Sequence, residues 1–148
     1  AKVPSLDGGG KMSKSENQMS TLYLADEDDA IRKKIMKAKT DSGPSENNSV
    51  KPDYIENLFT LMELVSTKET LQYFEQKFND CSIRYGDMKK QLAEDMVHFI
   101  SPIRHRVNEI LADETYLQKV MKEGAQKSIA NAEITMREVR DAMGLNYF

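Results

Sequence analysis

The chain has 148 residues, a formal charge of −3 and 30 % charged side chains, so it is not a globally basic nucleic-acid-binding protein, and any contact with RNA must use a local patch. No apolar run approaches the ~20 residues of a membrane-spanning helix, and no signal-peptide pattern precedes the first motif. A single cysteine, Cys81, excludes an intrachain disulfide and fits a reducing, cytoplasmic compartment.

Residues 1 to 20 carry no helical period and read as a loop, and Thr21 to Leu24 as a short extended or turn segment. Because the chain begins at Ala1 inside this loop, it is expected to be the C-terminal part of a longer protein. Acids then cluster at Asp26 to Asp29 and bases at Arg32, Lys33, Lys34, Lys37 and Lys39, in the order that favours a helix dipole. Ile31, Ile35 and Ala38 form a narrow apolar stripe, predicting a helix over 28–39.

Gly43, Pro44, Asn47, Asn48 and Pro52 interrupt the period, marking a linker and a candidate domain boundary. Tyr54, Leu58, Leu61, Met62 and Val65 mark the next helix. Ser66 and Glu69 have capping-box spacing and open another helix, containing Leu71, Phe74 and Phe78. A long helix over 86–111 carries a stripe of Met88, Leu92, Met96, Phe99, Ile100, Ile103, Val107 and Ile110. Pro102 inside it predicts a kink or a split. The last helix is expected over 114–143. Leu117, Val120, Met121 and Ile129 lie on one side with Gly124 and Ala125, and Gly144 follows as its C-terminal cap. No segment shows sustained strand alternation, so the fold class is all-α.

The loop Gly8 to Asn17 holds the chemistry. Lys11 and Lys14, three positions apart, can bracket a polyphosphate, while Ser13, Ser15 and loop amides donate to its oxygens. Gly8, Gly9 and Gly10 lower the cost of moving such a loop over a nucleotide. A lysine that meets a departing pyrophosphate stabilises the transition state more than the ground state. Composition alone favours a solvated basic loop, and no G-x-x-x-x-G-K-[ST] pattern is present.

The string Lys11-Met12-Ser13-Lys14-Ser15 resembles the second signature of class I aminoacyl-tRNA synthetases. Downstream, Tyr23, Leu24 and Asp26, then Ile31, Lys34, Ile35, Ala38, Thr40, Asp41 and Ser42, resemble the bacterial tryptophanyl-tRNA synthetase family. So do YGDMKKQLAEDM with SPIRHRV, and the closing GAQKSIANAEITMREVRDAMGL. The likeness spans nearly the whole chain. The chain departs from the family at Glu16, Asn17 and Gln18, where Asp-Pro-Asn is common, and it holds neither the family's first signature nor its tryptophan pocket.

The resemblance implies an enzyme that activates L-tryptophan with Mg2+-ATP and transfers it to tRNA(Trp). Lys11, Met12, Ser13, Lys14 and Ser15 would bind ATP, with Lys11 and Lys14 on the phosphates and Lys14 stabilising the leaving pyrophosphate. Residues 1–42 would be the loop and helix that end the catalytic nucleotide-binding fold, and 43–148 a helical anticodon-binding domain. The whole enzyme would be a homodimer, and this chain alone inactive. The alternatives are a tyrosyl relative, against which Thr40-Asp41-Ser42 and the Ala142 to Leu145 terminus argue, and an all-helical interaction module with an incidental basic loop. Lys89, Lys90, Arg104, His105 and Arg106 read equally as RNA-phosphate contacts or as an exposed charged face. His98 and His105 have no pattern to complete a metal site, Cys81 reads as structural or incidental, and Asp41 and Ser42 as a helix stop.

Overall fold

The computed structural model describes residues 2–15 and 17–145; Ala1 and Glu16, both discussed above, lie outside them. Five helices follow in order: α1 (Asp28–Met36), α2 (Asp53–Val65), α3 (Lys68–Asn79), α4 (Tyr85–Ala112) and α5 (Glu114–Met143). Among the described residues the only β pairing is an isolated antiparallel bridge between Pro4 and Lys11. The fold class is all-α, as the sequence implies.

The chain divides into two compact units, residues 1–104 and 105–148. In the first, one apolar core joins Leu6, Ile31, Ile35 and Ala38 to Ile55, Leu58, Leu61 and Met62 of α2, Phe74 and Phe78 of α3, and Met88, Leu92, Met96 and Ile100 of α4. This core therefore runs across the 42–43 position, where the Gly-Pro-Asn segment breaks the helical period without separating the packing. Phe59 and Phe78 meet edge to face at 6.0 Å, so α2 and α3 pack through aromatic faces. The Lys51 ammonium lies 4.6 Å from the Phe59 ring centre and 2.9 Å from a Glu75 oxygen.

Several local features differ from the sequence reading. The N-cap of α3 is Thr67, whose hydroxyl accepts from the Thr70 amide, while the Ser66 hydroxyl donates to Asp95 of α4 at 2.5 Å. The expected Ser66–Glu69 capping box is therefore not formed: the helix starts one residue later with a single side-chain cap from Thr67, and Ser66 is engaged in a tertiary bond. Of the kink or split expected at Pro102, the split does not occur: α4 is one helix through that residue. Its buried face is Met88, Lys89, Leu92, Ala93, Met96, Val97, Ile100 and Arg104, whereas Phe99 and Ile103 are exposed. An unbroken 3.6-residue period carries the inward face through Lys89 and Arg104, two positions where charge masks the pattern.

The second unit contains the end of α4 and α5. Asp113 caps α5 by accepting from the Tyr116 amide. Gly144 closes it at φ 68°, with the Leu145 amide donating to the Arg140 carbonyl. No residue of α5 is buried: Val120, Met121 and Ile129 of the expected apolar side are 45 %, 64 % and 57 % exposed.

Candidate nucleotide-loop site

The signature residues follow a pinned turn. The Met12 amide donates to the Val3 carbonyl at 2.8 Å and the Ser5 amide to the Gly10 carbonyl at 3.1 Å, folding residues 3–12 back on themselves. Asp7 holds the inside of this turn, accepting from the Ser5 hydroxyl and the Gly9 amide. These donors hold its carboxyl below the usual carboxylate range. Asn57 of α2 donates to the carbonyls of Ser5 and Gly9. Gly8 sits at φ +85°, and a Cβ there would fall 2.7 Å from the Tyr54 Cβ. The glycine at this position is therefore required by close approach to α2 and a left-handed backbone, beyond any freedom to move.

Beyond the turn, Lys11, Lys14 and Ser15 are exposed, and Met12 and Ser13 are half-buried. Among the described residues no ion pair involves Lys11 or Lys14. The Ser13 and Ser15 hydroxyls bond each other at 2.9 Å. Lys11, Met12, Ser13 and Lys14 line a groove of about 640 Å3 together with Leu22, Leu61, Met96, Phe99 and Ile100. Ser15 does not line it. Four of the five expected site residues thus line one groove, in which two cationic side chains accompany apolar ones.

The segment after the loop is also tied down. Thr21 Oγ1 donates to the Ser13 carbonyl at 3.1 Å, and the Leu22 amide to Met12 Sδ at 3.4 Å. Lys34 of α1, only 8 % exposed, donates to the Thr21 carbonyl at 2.9 Å and to Asp26 Oδ2 at 2.6 Å. The same Asp26 oxygen accepts from the Tyr23 amide. Arg104 donates to the Asp26 carbonyl and to Asp28 Oδ1. Lys34 could be found from the sequence, since it stands three residues after Ile31 on the buried face of α1. Arg104 likewise stands four residues after Ile100.

Two residues weighed as RNA contacts are placed elsewhere. Lys89 is 7 % exposed and donates to the Ala38 carbonyl at 2.6 Å and to Thr40 Oγ1 at 2.9 Å. Burial pushes its ammonium below the usual lysine range. Arg104 is 9 % exposed. Neither belongs to an exposed charged face. Lys90, His105 and Arg106 are exposed, and Arg106 pairs with Glu109 at 3.0 Å. Asp41 accepts from the Gly43 amide and from the Tyr54 hydroxyl, tying the linker to α2. Cys81, at φ 59°, lies in the turn after α3, 3.4 Å from Asn47 Oδ1.

Residues 2–101 match the family described as tRNA synthetases class I (W and Y). The chain belongs to that family of class I synthetases. Its similarity runs to the tryptophan branch. It is 52 % identical over 143 residues to the tryptophan–tRNA ligase of Porphyromonas gingivalis, covering 97 % of this chain and 43 % of that protein. It is 37 % identical over 149 residues to the chloroplastic/mitochondrial tryptophan–tRNA ligase of Arabidopsis thaliana, covering 97 % of this chain and 35 % of that protein. The solved tryptophanyl-tRNA synthetase of Campylobacter jejuni matches the fold with a TM-score of 0.74 at 24 % identity, over 97 % of this chain and 44 % of that one. The chain spans less than half the length of these relatives.

Proposed function

We propose that this chain is the C-terminal part of a cytoplasmic tryptophan–tRNA ligase. Residues 1–42 contribute the ATP loop and the helix after it, and residues 43–148 form the anticodon-binding helices. In the reaction, a tryptophan carboxylate oxygen attacks the α-phosphorus of Mg2+-bound ATP. The α–β bridging bond breaks and pyrophosphate leaves. A terminal ribose hydroxyl of tRNA(Trp) then attacks the activated carbonyl, and AMP leaves.

Lys11 and Lys14 hold the ATP phosphates, and Lys14 meets the charge that builds on pyrophosphate. Ser13 and Ser15 order the loop or donate to phosphate oxygens. Tryptophan selection lies in residues outside this chain, so the isolated chain is inactive, and the full-length enzyme is a homodimer. The observation that carries this reading is the exposed Lys11 and Lys14 pair lining one groove, in a chain 52 % identical to a tryptophan–tRNA ligase. ATP–pyrophosphate exchange by the full-length protein tests it. Tryptophan must support exchange and tyrosine must not; exchange with tyrosine alone reassigns the amino acid, and no exchange with either ends the reading.

A further inference from the structure

The backbone of the signature loop is held in one place, and the holding groups form a continuous set. The Ser13 carbonyl accepts from Thr21 Oγ1. The Thr21 carbonyl accepts from the Lys34 ammonium, which also pairs with Asp26. Asp26 in turn accepts from the Tyr23 amide through its carboxylate and from Arg104 through its carbonyl. The Lys34 ammonium lies 4.6 Å from the Tyr23 ring centre, so the aromatic face covers the charge as well.

This is an expensive way to hold a short turn. A charged pair whose side chains are only 10 % and 15 % exposed loses hydration, and apolar side chains of similar volume would often serve stability as well. What the pair supplies in addition is direction. Lys34 fixes the peptide plane of Thr21, and the Thr21 hydroxyl fixes the carbonyl of the residue before Lys14. Catalytic effects of positioning are steep with distance, so a displaced Ser13–Lys14 peptide would move the Lys14 ammonium off the departing phosphate.

The geometry points to Lys34 as a positioning residue for the signature loop, acting with Asp26 and Thr21 to hold the Ser13–Lys14 peptide in register. It touches neither ATP nor tryptophan, and its role rests on the synthetase reading given above. Lys89 provides an internal comparison. It is a lysine of similar burial in the same core, but its partners, the Ala38 carbonyl and the Thr40 hydroxyl, follow the C-terminal end of α1, and neither Lys89 nor these two groups hydrogen-bond residues 11–15.

The test uses the full-length protein carrying Lys34→Met, Lys89→Met or Thr21→Val, the last removing only the hydroxyl that reaches Ser13. Thermal melting, tryptophan-dependent pyrophosphate exchange and timed trypsin cleavage after Lys11 and Lys14 are measured for each. Lys34→Met is expected to lower kcat by roughly 10–100-fold with the KM for tryptophan unchanged. It should also speed cleavage at the two loop lysines. Thr21→Val should move both readouts the same way, by less, even where Lys34→Met fails to fold. Lys89→Met should lower the melting temperature while leaving kcat and loop cleavage near wild type. Equal losses of kcat in the Lys34 and Lys89 variants, or unchanged loop cleavage in both Lys34→Met and Thr21→Val, would overturn the assignment. Failure of the synthetase reading is separate: the wild-type protein would then show no exchange, while loop cleavage would still report on Lys34.

Discussion

Arg104 of α4 donates to the Asp28 carboxylate at 2.5 Å, at the first turn of α1. The contact joins residues 76 positions apart and meets the positive end of the α1 dipole with an acid that is itself neutralised. Arg104, followed by the electrostatic support of its neighbours, holds the Asp28 carboxyl below the usual carboxylate range. A carboxyl with a lowered folded-state pKa contributes stability that is complete above its unfolded value of about 3.9 and is lost as pH falls through the lower folded value. Glu94, held down by Arg32, adds in the same direction. Acid unfolding should therefore steepen below about pH 4. Arg104→Met should flatten that dependence, which denaturant titrations at pH 3 and pH 7 would show as a smaller stability difference than in the wild type.

Gly8 combines a positive φ with contact against Tyr54. Gly8→Ala is expected to destabilise the first unit by at least about 1–2 kcal/mol from backbone strain alone, with the clash adding to it. Gly10 has open space at its Cβ position and no positive φ, so Gly10→Ala should be nearly neutral. Urea titrations of the two variants compare them directly.

Ile35 and Leu58 are fully buried in one core although the linker separates them in sequence. Each change to Ala should cost about 2–5 kcal/mol. Both should shift the same cooperative transition. Separate transitions, each moved by only one of the variants, would divide residues 1–42 from the helices that follow.

Thr67 and Ser66 stand side by side but bond differently. Thr67→Ala removes the α3 N-cap and should cost about 0.5–2 kcal/mol. The loss should appear as faster amide exchange at Thr70, whereas Ser66→Ala should leave that amide protected.

The helices were legible because apolar spacing survives in single residues: Ile31 with Ile35, Leu58 with Leu61 and Met62, and Met88 with Leu92 and Met96 all point inward as their period implies. Gly144 announced its left-handed cap for the same local reason. What escaped were the buried cations. Lys34, Lys89 and Arg104 continue inward faces, but charge reads as surface until carbonyl and carboxylate partners from distant segments are in place. The glycines before the signature read as freedom to move, whereas Gly8 is held in place by the approach of Tyr54, a tertiary fact with no local mark. The apolar side of α5 shows the converse, being readable in the sequence and exposed in the structure. The signature string singled out residues 11–15 as site candidates, while the groove that four of them line depends on α2 and α4 and has no local sequence mark.

The proposed action of Lys14 on the leaving pyrophosphate is tested most directly by steady-state exchange by the full-length protein with Lys14→Ala. Loss of one preorganised charge donor predicts a fall in kcat of about 10²–10³-fold, with the KM for tryptophan little changed. Unchanged kcat in a correctly folded Lys14→Ala protein would contradict it.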